Sequence, residues 1–407
     1  MAFRLHRSIR SALAGLAGAG LLASYAAPAQ ETPVGAILSQ TFVETDPFGP
    51  PTGFGVSVAI EGKTAFVGAP LFVQGSDAQG NPTNNGLVEV YESDATGTTW
   101  TLTDSLAPVI PKLGTAFGQA VAVSGDHLAV GSNTEIQLYE KRRGKWTPTE
   151  TIPGASAALV LVGNTLVSGV TVYEIGDGCR PRLVQKLEPS SGDTGRYGSQ
   201  IALKGDLLVV GSPGGSTPGQ VYVYSREGLS RWHLEQILQS PTGAAGSEFG
   251  TGVGIAHHSI IVGAPGEDIV SDGFFTTAGG EAFVFRKAHG VWAETQEFRP
   301  TAGDPLDSLE GFNEFGTLIA TGGGRVVLSA PGPDDVFEAF FGPAIIYRWE
   351  GDTLVFDGSA ATANALAASH NRYIIGTNYV GRGGFFEGAE VLTYPKANAP
   401  STADTDD

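Results

Sequence analysis

Carboxylates and paired phenylalanines are the residues of this chain whose types and spacing point most directly to chemistry. Three short segments each carry a Phe-Phe pair with acidic residues close by. Clustered aromatic side chains can anchor a partner, and loop acids can accept hydrogen bonds from one. The other reading is that the Phe pairs pack their segments onto the body of the protein while the acids keep them solvated. The candidate binding residues are Phe274, Phe275, Asp334, Asp335, Phe340, Phe341, Phe385 and Phe386.

Patterns for catalysis or metal binding are sparse. Asp334-Asp335 could serve glycoside cleavage, but adjacent loop acids give no reason to expect the carboxyl separation that the reaction needs. Glu267, Asp268 and Asp272 could gather oxygen ligands, although their spacing matches no calcium loop. The sequence has no Gly-x-Ser-x-Gly, His-Glu-x-x-His or glycine-rich phosphate loop. We therefore predict no catalytic residue, no metal and no cofactor, and leave an enzymatic role open as the less favoured reading.

An internal repeat defines the elements that must position these residues. Phe54-Gly55 is followed, fourteen residues after the Phe, by Gly68 of Val67-Gly68-Ala69-Pro70. The spacing recurs in four more clear copies, and two degenerate copies open near residues 155 and 362. Repeated units of this kind must stack on their neighbours to bury their apolar faces. The repeat positions are Phe54, Gly55, Gly68, Pro70, Phe117, Gly118, Gly131, Tyr197, Gly198, Gly211, Phe249, Gly250, Gly263, Pro265, Phe315, Gly316 and Pro331.

Each copy predicts four short antiparallel strands, which in the first copy are 56–60, 63–68, 87–92 and 100–106. Two-residue turns, at Glu61-Gly62 in this copy, join the first two strands. The first strand is apolar on both faces with a small residue at its centre, which fits sheets that converge on an axis. We expect an all-β, seven-bladed β-propeller. Four tryptophans near the starts of fourth strands should cover blade edges rather than bind a ligand: Trp100, Trp146, Trp232 and Trp292.

The two ends of the chain predict how the ring closes. The last copy stops after its third strand, 389–394, whereas residues 36–43 resemble a fourth strand without a blade. We expect residues 36–43 to complete the blade formed by residues 364–394. An open array would instead leave both end strands unpaired.

These motifs resemble the FG-GAP repeats of integrin-alpha-like β-propellers. The likeness covers residues 36–395 and is most specific in the first copy and in Phe249-Gly250…Val262-Gly263-Ala264-Pro265. It implies a seven-bladed propeller used for recognition and implies no single reaction. Calcium-binding members carry an Asp-rich loop between the first two strands of a blade. Here two residues such as Gly125-Asp126 occupy that place, so we do not carry over the metal sites.

The segments between second and third strands differ most between copies, and they are where we expect function. Long inserts occur in copies one, five, six and seven, which are neighbours in a ring, and the connectors between blades should emerge on the same face. The sequence therefore predicts one arc of long inserts, which contains the candidate binding residues. The inserts are 71–86, 266–280, 332–343 and 377–388.

The N-terminus has the pattern of a secretory signal peptide, residues 1–29: a basic segment, an apolar run and Ala27-Pro28-Ala29. Its removal would move the net charge from −18 to −21, because it holds three Arg and no acid. Such acidity argues against nucleic acid and anionic membranes as partners. Residues 30–395 would form the propeller and 396–407 a disordered acidic tail. The lone Cys179 excludes an internal disulfide and is expected in a turn, with an exposed thiol as one reading.

The resulting prediction is a secreted, periplasmic or cell-surface recognition or scaffolding module, monomeric and without a membrane span. Its partner would be an unidentified protein or glycan. The alternative is a secreted polysaccharide hydrolase or lyase that uses the acidic face. A third reading is a structural cell-surface component without a small ligand.

Overall fold

Alternating apolar residues and short turns fold most of the described chain into β-strands. The computed structural model describes residues 37–43, 52–76, 82–110, 114–154, 158–189, 196–214, 217–228, 231–267, 269–271, 274–276, 279–298, 314–329, 343–381 and 384–394. Its strands through the fourth repeat are β1 (Ile37–Val43), β2 (Ser57–Glu61), β3 (Thr64–Ala69), β4 (Val73–Ser76), β5 (Pro82–Asn84), β6 (Leu87–Ser93), β7 (Trp100–Leu106), β8 (Ala120–Ser124), β9 (His127–Gly131), β10 (Glu135–Arg142), β11 (Lys145–Pro153), β12 (Leu159–Val162), β13 (Thr165–Ser168), β14 (Thr171–Gly176), β15 (Arg180–Lys186), β16 (Gln200–Lys204), β17 (Leu207–Ser212), β18 (Gln220–Glu227) and β19 (Arg231–Gln239).

The remaining three repeats continue in the same way. Their strands are β20 (Gly252–Ala256), β21 (Ser259–Ala264), β22 (Ile269–Ser271), β23 (Phe274–Thr276), β24 (Glu281–Ala288), β25 (Val291–Phe298), β26 (Ile319–Gly322), β27 (Arg325–Ser329), β28 (Pro343–Glu350), β29 (Thr353–Thr362), β30 (Ala365–Ser369), β31 (Arg372–Gly381) and β32 (Gly384–Thr393).

Seven four-stranded antiparallel sheets form the blades of a β-propeller, as the repeat predicts. From the first to the sixth blade they are β2-β3-β6-β7, β8-β9-β10-β11, β12-β13-β14-β15, β16-β17-β18-β19, β20-β21-β24-β25 and β26-β27-β28-β29. The seventh is β30-β31-β32-β1. Each first strand contacts the first strands of both neighbouring blades, and β30 contacts β2, so the ring is closed. The short hairpins β4-β5 and β22-β23 lie in the first and fifth inserts.

The predicted closure by the N-terminal strand is confirmed. β1 pairs antiparallel with β32, from Ile37 opposite Thr393 to Val43 opposite Gly388. Phe42 of β1 then stacks on Tyr91 of the first blade, with ring centroids 4.0 Å apart. The N-terminal strand therefore completes the last blade and also contacts the first.

The fourteen-residue spacing is explained by contacts within and between blades. The Gly55 N–H donates to the Gly68 carbonyl at 2.9 Å, and Gly55 has a φ of +90°, which favours glycine. At Gly68, a Cβ would lie 2.1 Å from the carbonyl oxygen of Gly118 in the next blade. Only glycine allows that approach. Equivalent N–H to carbonyl bonds join Gly118 to Gly131, Gly198 to Gly211, Gly250 to Gly263 and Gly316 to Ser329.

The apolar core lies between the blades. One cluster of buried residues occupies each junction between consecutive blades, and the repeat aromatics Phe54, Phe117, Phe249 and Phe315 are all buried there or beside it. Tyr197 is half-buried, and its hydroxyl lies 2.5 Å from that of Tyr224. Pro331 lies outside the described residues.

Two strand boundaries differ from the prediction. The first turn comprises Gly62 and Lys63 rather than Glu61-Gly62, because Glu61 still pairs with Thr64 and Gly62 takes the positive φ of the first turn position. In the last blade β32 begins at Gly384 rather than at residue 389, since β31 and β32 stay paired up to Gly381 and Gly384. The seventh insert is thus an extension of its blade.

Side-chain amides join the outermost strands of neighbouring blades. Gln236 accepts a hydrogen bond from the Trp292 N–H and donates one to the Trp292 carbonyl, both at 2.8 Å. Gln185 makes the same two bonds to Trp232, and Gln296 makes them to Leu354. These glutamines take the place of a neighbouring strand at the outer edges of the fourth, fifth and sixth blades, where the backbone groups would otherwise lack a protein partner.

Candidate functional site

In the first and fifth blades, the described parts of the inserts and connectors lie on one face of the ring, as expected. In the first blade the Leu71 N–H donates to the connector carbonyl of Thr52 at 2.7 Å. In the fifth blade the Gly266 N–H donates to the connector carbonyl of Ser247 at 3.0 Å. The end of that insert, Gly279, accepts from the Phe315 N–H of the next connector at 3.4 Å. Insert and connector backbones in these two blades are therefore bonded to each other, and we call the face of the ring that carries them the insert face.

Glu387 fixes the seventh insert to the connector that enters the first blade. Its carboxylate accepts hydrogen bonds from the Thr52 N–H at 3.0 Å, the Thr52 hydroxyl at 2.7 Å and the Gly53 N–H at 2.9 Å. The residue is only 9% exposed. A buried carboxylate needs such donors to replace water, so these bonds specify how the two segments lie together.

The predicted binding residues are only partly positioned by the structure. Phe274 and Phe275 lie in β23 and pair with Ser271 and Val270. Phe385 and Phe386 lie in β32 and pair with Val380 and Tyr379. Both pairs therefore lie on insert hairpins. The remaining candidates, Asp334, Asp335, Phe340 and Phe341, are outside the described residues.

Acidic residues at the base of the fifth insert are buried rather than displayed. Glu267 is 5% exposed and Glu281 is 2% exposed. The Glu267 carbonyl accepts from the Gly280 N–H at 3.1 Å, which closes the base of the insert. Asp268 and Asp272, the other members of the possible metal set, lie outside the described residues. Within the described ranges, no group of three or more His, Cys, Asp or Glu residues is arranged to hold a metal ion.

The opposite face carries the two-residue turns that join the first and second strands of the blades, and we call it the turn face. Ser124 pairs with His127, so Gly125 and Asp126 alone form the turn of the second blade. The fifth blade has the same construction with His257 and His258, whose φ values are +46° and +57°. Each turn is too short to supply the six to eight oxygen ligands that calcium requires.

His257 has a packing role that its sequence position does not reveal. Its ring stacks on Trp349 of the next blade with centroids 5.1 Å apart and planes 28° apart. The Arg286 guanidinium lies over the same tryptophan at 5.2 Å. His257 therefore contributes to a blade junction, whereas His258 is exposed at the turn.

Cys179 lies in a turn, as expected, but the reading of an exposed thiol is wrong. The side chain is fully buried between the second and third blades, 3.5 Å from the Tyr139 carbonyl. Burial raises the pKa of the Cys179 thiol, which disfavours the reactive thiolate. The residue therefore has the environment of a structural cysteine.

The four repeat tryptophans are buried at blade junctions, with Lys or Arg side chains over their rings. Each indole is at most 7% exposed, which supports the structural reading. The pairs are Arg372 over Trp100, Lys141 over Trp146, Arg226 over Trp232 and Lys287 over Trp292.

A cleft of about 370 Å³ opens on the turn face between the third and fourth blades. Glu174 of the third blade and Arg226 of the fourth lie among its walls, with Val172, Val184 and Trp232 as apolar parts of the lining. Asn164 lies in the exposed turn of the third blade that borders the cleft. Sequence reasoning did not identify this site, because no single residue in it is unusual. An alignment of the repeats strand by strand would have placed Glu174 and Arg226 at positions that face each other across the junction between the third and fourth blades.

Comparisons with known proteins add no functional assignment. No protein-family model matches the chain, and no curated protein matches it in sequence. Among solved structures, the chain is similar to a crystallographically determined protein from Lactobacillus plantarum, at 12% identity and a TM-score of 0.46. That similarity covers 82% of this chain and 97% of the other. The propeller assignment rests on the strand pairing described above. Among the described residues, no helix has the length and apolarity needed to cross a membrane.

Proposed function

We propose that this propeller is an exported recognition or scaffolding module that binds a protein or glycan through the insert face. The observation that carries the proposal is the set of hydrogen bonds between described insert and connector residues, above all those by which Glu387 joins the seventh insert to the entrance of the first blade. Insert and connector segments held together by backbone and carboxylate hydrogen bonds can present side chains in a fixed geometry. Preorganised surfaces of this kind lose less conformational entropy on binding.

The positions of the long inserts also favour the insert face as the binding surface. Copies five, six, seven and one are consecutive in the ring, and their inserts carry the Phe pairs and most insert acids. Aromatic residues are enriched in the buried centres of interfaces. Glu267 and Glu387 are buried, so acids such as Asp334 and Asp335 would be the ones that favour a partner with a complementary positive surface. Membership of the FG-GAP repeat proteins, in their short-turn form, is part of this proposal.

The direct test compares binding by the intact chain with that of insert-shortened variants. In one variant, inserts 266–280 and 332–343 are cut to the length of the fourth-blade segment 214–219. A matched control shortens 214–219 itself, which lies outside the proposed arc. Each protein is immobilised and exposed to a glycan array and to the secreted fraction of its source cells. Loss of specific partners only from the first variant supports the proposal. Equal recovery by all three proteins refutes it.

The alternative function is polysaccharide cleavage by acids of the same face, for which Asp334 and Asp335 are the candidates. Its test is the release of new reducing or unsaturated ends from a panel of polysaccharides. An enzyme would lose this activity in Asp334→Asn or Asp335→Asn with its fold intact. Export is tested separately by sequencing the N-terminus of the secreted protein, which we expect to begin at Gln30.

A further inference from the structure

The repeat places opposite charges across two of the blade junctions on the turn face. Glu92 of β6 pairs with Thr64 in its sheet, and Glu174 of β14 pairs with Thr165 at the equivalent place. On the following blades, Lys141 lies opposite Trp146 and Arg226 lies opposite Trp232. Glu92 and Glu174 thus occupy one repeat position, and Lys141 and Arg226 occupy another.

The first of these junctions is closed by an ion pair. The Lys141 Nζ lies 3.0 Å from the Glu92 Oε1, across the gap between the first and second blades. An acid and a base at these two repeat positions can therefore bond to each other directly.

The second junction stays open although it carries the same charges. The Arg226 guanidinium donates two hydrogen bonds within its own blade, from Nε to Asp206 at 2.7 Å and to the Gly205 carbonyl at 3.2 Å. A third goes to the Thr165 hydroxyl of the third blade at 3.3 Å. Glu174 binds Arg182 of its own outer strand. Arg226 and Glu174 do not pair with each other, and the cleft of about 370 Å³ includes both of them in its lining.

The arginine wall of the cleft is held rigidly. The Arg226 guanidinium lies over the Trp232 ring at 5.3 Å, and Gln185 fixes the Trp232 backbone through bonds of 3.0 and 2.9 Å. Three of the five N–H groups of a guanidinium are used by the contacts above, which leaves two donors. A guanidinium fixed in this way loses little freedom when it binds another acceptor.

We propose that this cleft binds a small zwitterion, a free amino acid or a dipeptide, with its carboxylate toward Arg226 and its ammonium toward Glu174. The ligand would complete the ion bridge that the equivalent residues make directly at the first junction. Charge-assisted hydrogen bonds at both ends are stronger than those available to a neutral ligand. Val162, which is 37% exposed, and the half-buried Val184 offer apolar surface to an aliphatic side chain. The volume is near the lower end of ligand pockets, which are roughly 300–1,000 Å³.

Overall charge also favours a zwitterion over a singly charged anion. The formal net charge of the chain is −18, so its field repels anionic ligands, whereas a zwitterion has no net charge. Beside the cleft, Asp206 balances the charge of Arg226 and Arg182 balances that of Glu174, so the two walls together carry no net charge. A zwitterion keeps this balance, whereas a ligand with a single charge would add a net charge to the cleft.

The test measures binding of the twenty amino acids and of leucylleucine to the full chain by ligand-observed NMR and calorimetry. Leucine is compared with its single-charge analogues, isoamylamine and 4-methylpentanoate, and a neutral disaccharide is included. We expect leucine or leucylleucine to bind at least about tenfold more tightly than either analogue. Absence of binding by every amino acid and the dipeptide overturns the proposal. Tighter binding of an analogue or of the disaccharide also overturns it.

A charge-specific variant separates the proposed contact from general effects on the fold. Glu174→Gln should weaken the zwitterion about tenfold while leaving 4-methylpentanoate binding unchanged or tighter. The matched control is Glu92→Gln, which removes the equivalent acid at the closed junction and should bind as the parent does. Arg226 is not the primary variant because it also holds Asp206 and Thr165. Equal zwitterion affinity in Glu174→Gln and the parent contradicts the proposal.

Discussion

Replacement of Glu387 by Gln tests whether one carboxylate fixes the insert face to the closure of the ring. The side chain accepts two bonds from Thr52 on one oxygen and one from the Gly53 N–H on the other. Glutamine has nearly the same shape, but its NH₂ group cannot accept. Whichever way the amide is turned, at least one donor then faces another donor.

The size of the effect follows from these three bonds. A buried donor left without an acceptor costs about 1–3 kcal/mol, and the bonds that remain lose their charge assistance, which contributes roughly 1 kcal/mol more. Glu387 is 9% exposed, so water can replace little of what is lost. We expect Glu387→Gln to lower the free energy of unfolding by about 2–4 kcal/mol.

The assay is equilibrium unfolding in urea followed by tryptophan fluorescence. With an m-value of about 3 kcal/mol/M, the midpoint should fall by roughly 1 M. Hydrogen exchange should also quicken in the seventh insert and around Thr52 and Gly53 before it changes in distant blades. An unchanged midpoint with unchanged exchange in these two segments would refute the assigned role of Glu387.

Four further predictions concern other parts of the ring. Burial raises the pKa of the Glu390 carboxyl above its value of 4.5 in the unfolded chain. The free energy of unfolding of the parent therefore falls as pH rises from the unfolded-state pKa through the folded-state pKa. Glu390→Gln, which copies buried Gln137 of the second blade, should therefore raise the unfolding midpoint at pH 7 and not at pH 4; a midpoint gain of the same size at both would contradict this. Gln236→Ala removes both bonds to Trp292 and should cost about 1–3 kcal/mol in urea unfolding, whereas the control Glu150→Ala, an exposed outer-strand change, should cost less than about 0.5 kcal/mol. Because Cys179 is fully buried, a thiol reagent should label it only in denaturant, and rapid labelling of the native chain would contradict its placement. Two-residue turns cannot hold calcium, so a chelator should leave the melting temperature unchanged, and a fall of many degrees would be inconsistent with this reading.

The fold could be predicted from the sequence because its constraints repeat. The next blade approaches the backbone at Gly68 so closely that only glycine fits, and the same constraint recurs at the equivalent position of most copies. The fourteen-residue spacing is therefore recognisable even in copies that lack the aromatic residue. Closure by β1 could be predicted for a similar reason. A fourth-strand pattern at one terminus and a missing fourth strand at the other have one simple solution.

Contacts between blades could be predicted much less well. Cys179 reads as a turn residue, yet its positive φ of +59° accompanies a side chain buried between blades, where local sequence gives no guide. The amide bonds of Gln236 and Gln296 had a detectable signature, since each glutamine follows a fourth-strand tryptophan by four residues. The open junction at Glu174 and Arg226 could not be predicted, because the same two charge types close the junction at Glu92 and Lys141.

The proposed binding face is tested most directly by hydrogen–deuterium exchange of the intact chain, free and bound to its captured protein or glycan partner. We expect the bound partner to slow exchange in the connector backbone at Thr52 and Gly53 and in the inserts 71–86, 266–280, 332–343 and 377–388. The turn face, including Gly125-Asp126 and His257-His258, should exchange at the same rate in both samples. Slowed exchange confined to the turn face would contradict binding through the insert face.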